Sequence, residues 1–257
     1  MQLLEADPEL GESLDAEELR QAQAHVTVAS VTLEPGPWSV ERLVEVNGVR
    51  GEVLGFLVLD GAVTINLSIA DRGCTRLVGP SELVLLGNWE SDSIPLSWGW
   101  SALEPSTLAV LDERVLVLAR HWPGLMSAIL RRGAQQMRHA LLQQAISQLP
   151  RVEDRLLALI WSIAERRGVV RSDGVFVSLA MTHDTLSQMI GARRPTVSLG
   201  LRNLSVRGLL TALPSGWLLA PESLEELCPT ARAQLGGVGR RLRDDPGLET
   251  AARSVRA

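Results

Sequence analysis

Residues Gly191–Leu210 read GARRPTVSLGLRNLSVRGLL, and this stretch decides the fold. Val197, Leu201 and Leu204 recur at helical spacing and give a narrow apolar stripe. Ahead of the stripe stand Arg193, Arg194, Pro195 and Thr196, polar and charged where a helix begins. Proline suits a first helical turn, where its missing N–H leaves nothing unpaired. Upstream, Thr182 is a good N-cap, Asp184 favours the first turn, and Leu186, Met189 and Ile190 form an apolar face ended by Gly191. The second helix stops at Arg207-Gly208. Two short helices across a tight glycine turn predict a helix-turn-helix. LLTALPSGWLLA then sets two β-prone runs around Pro214-Ser215-Gly216, as a winged hairpin requires.

On a wheel anchored at Val197, Leu201 and Leu204, the opposite side carries Pro195, Ser198, Leu199, Arg202 and Asn203. Arg193 and Arg194 reach outward from the helix end. An arginine there can read guanine O6 and N7 bidentately or neutralise phosphate. The bland alternative is a solvated surface helix. Cap, turn, second helix, wing and local positive charge agree instead on a reader of double-stranded DNA. Its expected contact residues are Arg193, Arg194, Pro195, Thr196, Ser198, Leu199 and Arg202.

Charge along the chain supports that reading. Residues 1–120 hold 7 Arg against 19 acidic residues, a net of −12, while residues 121–257 hold 18 Arg against 11, a net of +7. Such asymmetry marks a nucleic-acid-facing C-terminal part and an acidic N-terminal part. Every basic residue is Arg, so any anion must be met by guanidinium. MQLLEADPEL does not read as a signal peptide, and no apolar run approaches the ~18 residues of a membrane span. The expectation is a cytoplasmic protein with no membrane association. Cys74 and Cys228 lie far apart without metal-ligand spacing, so no metal and no cofactor is expected.

The predicted class is α+β. From Val26 to Leu118, short β-like runs punctuated by turn residues predict a β-roll of jelly-roll type: HVTVASVTL, RLVEVNGV, EVLGFLVLDGAVTINLSI, TRLVGPSELVLLG and STLAVLDERVLVLA. Before it, SLDAEELRQAQAH reads as a short helix capped by Ser13 or Asp15. From His121 to Leu149 a long helix is expected. Leu125 or Met126, Ile129, Gly133, Met137, Ala140 or Leu141, and Gln144 fall near a 3.5-residue spacing, which suits either a helix–helix seam or ordinary packing on its own domain. Pro150 ends it, RVEDRLLALIWSIAERRG begins another helix, and VVRSDGVFVSLA turns at Ser172-Asp173-Gly174. The domains are read as 1–120 (roll with N-terminal helix), 121–149 (long helix), 150–222 (winged helix-turn-helix) and 223–257 (a tail, partly disordered).

THDTLSQMIGARRPTVSLGLRNLSVRGLL with its wing resembles the C-terminal domain of the Crp/Fnr family of bacterial transcription regulators. GFLVLDGAVTIN resembles that family's central roll strands, and LVGPSELVLLG the entry to its phosphate-binding cassette. The resemblance implies a homodimer paired along the long helix, with Met126, Ile129, Gly133, Met137, Ala140 and Leu141 as interface. It also implies a two-fold DNA site and RNA polymerase as a further partner in the bacterial cytoplasm. Two departures stand out. Pro195 and Leu199 replace the Glu and second Arg of cyclic-nucleotide-binding members, so their half-site is not carried over, although Arg194 aligns with the first base-reading Arg. Leu199 fits a thymine methyl instead. In the roll, the family's phosphate-holding Arg aligns near Leu96, yet Leu77 to Glu113 contains no Arg, Lys or His.

A buried phosphate without a cation is left desolvated and unpaired, so cAMP or cGMP binding in the usual mode is not expected. Glu82, Trp89, Trp98 and Trp100 are the residues placed to line a pocket for a planar ligand, or else they are core. No Ser/His/Asp or paired-carboxylate arrangement appears, so no catalytic residue is expected. His183 and Asp184 read as part of a capping turn. Two further classes stay open: a switch gated by an unknown small molecule, and an interaction protein whose acidic roll docks a partner.

Overall fold

The computed structural model describes residues 1–41, 43, 52–70, 72–86 and 93–227. Trp89, Cys228, most of RLVEVNGV and the tail beyond Leu227 lie outside the described residues. The chain divides into two compact units. Met1–Val152 with Met181–Val197 form one; Glu153–Ala180 with the described residues from Ser198 onward form the other.

The first unit opens with a short helix α1 (Leu3–Ala6), a 3₁₀ turn (Pro8–Gly11) and α2 (Ala16–His25). Asp15 caps α2 through the N–H groups of Glu17 and Glu18, and the Glu18 carboxylate answers to the Asp15 N–H, a complete capping box. Among the described residues eight strands follow: β1 (Ser30–Leu33), β2 (Gly36–Trp38), β3 (Val53–Asp60), β4 (Val63–Ile69), β5 (Arg72–Val78), β6 (Leu83–Leu85), β7 (Leu96–Ala102) and β8 (Ser106–Asp112). They make two antiparallel four-stranded sheets, ordered β1-β8-β3-β6 and β2-β7-β4-β5. The predicted β-roll is present.

Period-two alternation explains how the first sheet is covered on both sides. Phe56, Val58, Leu108 and Val110 point into the roll with Val63, Ile65, Val78 and Trp100 from the other sheet. Leu57, Ala109 and Leu111 point the opposite way, onto Leu3, Leu4, Leu10, Val26, Trp122, Leu125 and Ala128. The N-terminal helices and the start of the long helix thus form a third layer. The second sheet keeps its outer face polar: Asn66 Nδ2 donates to the hydroxyls of Thr64 and Ser101, and Asn66 Oδ1 accepts from Thr75.

The run STLAVLDERVLVLA is not one strand. It is β8 followed by helix α3 (Glu113–Ala119). Asp112 accepts from the Val115 N–H, and this cap turns a β-prone run into a helical turn. LSWGWSA, by contrast, is a strand that its Gly and Ser content hides. Next comes α4 (Pro123–Ser147), the expected long helix.

Arg132 on α4 is buried and gathers three distant segments. Its guanidinium donates to Asp7 Oδ1 at 2.8 Å, to Glu9 Oε2 at 3.3 Å and to the Ser81 carbonyl. Ser81 sits at φ 65°, a left-handed turn that aims its carbonyl at this cation. Burial pushes the Asp7 carboxyl above the usual carboxylate range, and Arg132 draws it back only in part. Further along α4, His139 Nδ1 lies 2.6 Å from Glu82 Oε1, and Gln143 donates to the Thr75 carbonyl at 2.6 Å.

The second unit contains α5 (Val152–Arg167), largely from Glu153, and a four-stranded antiparallel sheet. Its strands, in sheet order, are β11 (Leu210–Leu213), β12 (Gly216–Leu219), β10 (Gly174–Val177) and β9 (Gly168–Arg171). The turns fall at 172–173 and 214–215, where the sequence places them. A final short helix, α8 (Glu222–Leu227), follows; α6 and α7 are described with the site below. Among the described residues no helix is long and apolar enough to cross a membrane.

The Arg132 cluster yields a stability prediction. Asp7→Ala leaves a buried guanidinium without its carboxylate and should cost about 3–5 kcal/mol in urea unfolding. Asp7→Asn, which keeps an acceptor, should cost less. The raised carboxyl means the folded state holds a proton that the unfolded state has released, so this residue's contribution declines as pH rises through that window. The wild-type minus Asp7→Asn difference measured across acidic pH should show that decline.

Candidate nucleic-acid interface

Helix α6 spans His183–Ile190 and α7 spans Arg194–Val206. Thr182 Oγ1 accepts the Thr185 N–H at 3.0 Å, the expected N-cap. Asp184, in the first turn of the helix, accepts from Gln188 Nε2 at 3.0 Å, a bond within α6. Gly191 takes φ 64° and ψ 38°, and the Ala192 N–H reaches back to the Ser187 carbonyl at 2.9 Å. This is a left-handed glycine stop with its six-to-one hydrogen bond.

The Arg193 carbonyl accepts the first helical hydrogen bond, from the Val197 N–H at 3.1 Å. Arg193 therefore stands at the cap, with Arg194 and Pro195 opening the first turn. The end of α7 repeats the stop motif: Gly208 has φ 69°, and the Leu209 N–H bonds the Leu204 carbonyl at 3.0 Å. Glycine is required at both stops because any side chain pays for a positive φ.

Val197, Leu201 and Leu204 are buried, as the stripe predicts. Arg193, Arg194, Pro195, Thr196, Leu199 and Arg202 lie toward solvent, and Ser198 is half-buried. The outer set lies on one helix and its leading turn, with the guanidinium groups of Arg193 and Arg194 at a helix N-terminus whose partial positive charge also favours anions, and that of Arg202 two turns further along. Asn203 lies on the outer side but donates to Glu153 Oε1 at 3.0 Å. Arg207 is paired with Glu226, which draws it toward α8 and away from a groove-facing role. Neither pairing is legible locally, because each partner is far off in sequence. Val206 is a further exposed residue that the wheel passes over.

On α4, burial redraws the expected seam. Leu125, Ala128, Arg132 and Ile146 face inward. Met126 and Ile129 pack partly against the protein's own core. The fully outward apolar stripe includes Leu130 (67 % exposed), Met137 (68 %) and Leu141 (60 %), with a seven-four spacing. Two of the six expected seam residues, Met137 and Leu141, belong to it, while Gly133 and Ala140 flank it on α4. Sequence spacing missed Leu130 because α4 carries apolar residues on several sides.

The residues expected to line a pocket in the roll are divided. Trp100 is buried in the roll core, stacked on Trp38 at 5.4 Å and 24°; Trp98 meets it edge-on at 5.8 Å and is partly exposed. Arg76 pairs across the sheet with Ile65, so it shares the inner face with these rings. Glu82 instead accepts the Gly79 N–H at 2.7 Å and faces His139. Leu96, near which the resemblance puts the family's phosphate-holding arginine, begins β7. Among the described residues no group of three His, Cys, Asp or Glu is placed to hold a metal ion.

Residues 151–227 match the family model of the Crp-like helix-turn-helix domain. Among solved structures, the chain resembles a cyclic nucleotide-binding-domain-containing protein from Listeria monocytogenes at 13% identity and TM-score 0.62, covering 84% of this chain and 98% of that one. A CooA double mutant from Carboxydothermus hydrogenoformans matches at 16% identity and TM-score 0.59, over 79% and 87%. A CRP/FNR-family transcriptional regulator from Thermus thermophilus matches at 19% and 0.55, over 79% and 99%. No curated protein gives a significant match. The chain has the fold of the solved CRP/FNR regulators, and its residues 151–227 are similar to the Crp-like helix-turn-helix domain.

Proposed function

We propose that this protein is a homodimeric, sequence-specific DNA-binding transcription regulator that works without cAMP or cGMP bound in the family's usual mode. One observation carries the DNA-reading part: a capped, glycine-terminated helix pair whose second helix buries Val197, Leu201 and Leu204, turns Arg193 and Arg194 outward at its start and exposes Arg202 two turns on. Arg194 is the base reader, and Arg193 and Arg202 serve the phosphates or flanking bases. The outward stripe Leu130, Met137 and Leu141 supports self-association. Three large apolar side chains standing in water at heptad spacing gain by facing their own copy.

The effector reading rests on charge. The place of the phosphate arginine is taken by Leu96, and the inner face nearby is built of stacked tryptophans. Of the other arginines within conceivable reach, Arg131 donates to Ser13 at 2.8 Å, Arg72 is exposed at the start of β5, and Arg76 is the one that lies on the inner face. A ligand-gated variant is favoured by Trp98, whose exposed ring ends the aromatic row on the inner face shared with Arg76.

Three measurements follow. Arg194→Ala should cost about 1–3 kcal/mol in binding to a selected site and relax base preference at one position per half-site. Arg207→Ala, already paired with Glu226, should leave that preference intact. Equal, sequence-independent losses would remove Arg194 as a base reader.

Met137→Glu should give monomers by sedimentation and weaken site binding sharply, since each half-site alone is weak. Ile129→Glu should instead lower the melting temperature, because Ile129 packs into its own core. A dimeric Met137→Glu protein would exclude this face of α4 as the interface.

Millimolar cAMP or cGMP should leave the melting temperature unchanged. A ligand at 100 times its Kd would stabilise the native state by roughly 2.7 kcal/mol, a readily measured shift. Calorimetry showing micromolar cAMP binding would overturn the effector reading while leaving the DNA-reading proposal in place.

A further inference from the structure

We infer that Leu199 sets sequence preference by packing on the C5 methyl group of a thymine, about two base steps from the base read by Arg194. The inference rests on the DNA-reading proposal and adds to it a base and a position. Leu199 is 58 % exposed, whereas Val197, Leu201 and Leu204 on the other side of α7 are 0%, 7% and 0% exposed. Its side chain therefore contributes little to the fold. It stands one turn beyond Pro195 and one turn before Arg202 on the outer side of α7, and Arg194 opens the same helix five residues earlier.

Leucine neither donates nor accepts a hydrogen bond, so it can read only an apolar feature. The floor of the major groove offers one, the thymine methyl. A cytosine or adenine amino group held against Leu199 would lose its water and gain no partner, so the same side chain also rejects. Five residues of helix rise about 7.5 Å, close to two base-pair steps of about 3.4 Å, which sets the separation from the Arg194 base.

Neighbouring residues leave this position to Leu199. Asn203, the polar residue that would otherwise read a base edge on this face, is engaged by Glu153 at 3.0 Å. Val206 is more exposed, at 81 %, but lies at the far end of α7 beside the Arg207–Glu226 pair. Recognition helices present their N-terminal residues to base edges, so Leu199 is the apolar side chain within reach.

The test uses the full-length protein to select binding sites from a random duplex pool. The recovered site is rebuilt with deoxyuridine in place of thymine, one position at a time, which deletes only the methyl group. At one position per half-site, uracil should weaken wild-type binding about fourfold, the equivalent of one buried methyl. Leu199→Ala should bind the thymine and uracil duplexes equally, with the wild-type melting temperature. A flat uracil scan with wild-type protein overturns the inference without using any variant. So does a Leu199→Ala protein that keeps the same loss at the same position. A pool that returns no preferred sequence overturns the DNA-reading proposal itself, and this one with it.

Discussion

Arg132 fixes the rotation of the long helix, and much of the first unit is arranged around that choice. A guanidinium at 7% exposure is tolerable only with its donors matched, and here Asp7, Glu9 and the Ser81 carbonyl match them. With Arg132 turned inward, helical geometry also turns Leu125, Ala128, His139 and Gln143 toward the roll and the N-terminal segment. Leu130, Met137 and Leu141, on the other side of the helix, then have nowhere to point but outward. The exposed apolar stripe is the geometric complement of one buried ion pair.

What could be read from the sequence was what local chemistry determines. The Asp15 and Thr182 caps, the left-handed stops at Gly191 and Gly208, and the two hairpin turns each depend on a few adjacent residues, and each formed where those residues stand. What could not be read depends on distant partners or on burial. Leu3–Ala6 is four residues long, too short for any periodicity, and is held by burial of Leu3 and Leu4 against the roll. ERVLVLA has strand-like composition but is helical because Asp112 caps it. Asp7 and Arg132 are separated by 125 residues, and no local pattern announces them. The exposed apolar stripe on α4 was only partly legible for the same reason. Spacing identifies that a helix has apolar faces, and only the inward partner decides which face is left over.

The interface helix was legible to a different degree from the roll. On α7 the buried stripe alone determines the outer face, so Arg194, Pro195, Leu199 and Arg202 could be placed from the wheel. Inside the roll, the sequence announces an aromatic cluster but not its order. The structure arranges Phe56, Trp38, Trp100 and Trp98 as successive ring contacts of 5.8, 5.4 and 5.8 Å, running from a buried phenylalanine to a partly exposed indole. Most of that row is packing. Trp100 at 2% exposure is core, which leaves the exposed end at Trp98 as the part open to a ligand.

The absence of lysine sharpens what the basic half of the chain can do. A lysine neutralises phosphate as a mobile point charge, whereas a guanidinium holds a planar fork that matches guanine or phosphate in two bonds at once. With all 18 basic residues after His121 being arginine, non-specific attraction and base reading are made by the same group. Position must then separate the two roles. Arg207 is drawn to Glu226 at the far end of α7, while Arg193 and Arg194 stand at its start and Arg202 is exposed further along. In a surface where charge is supplied by one residue type, an uncharged side chain on the reading face carries the information that charge cannot, because guanidinium groups alone favour guanine and phosphate everywhere. Leu199 is the residue on that face whose preference differs in kind.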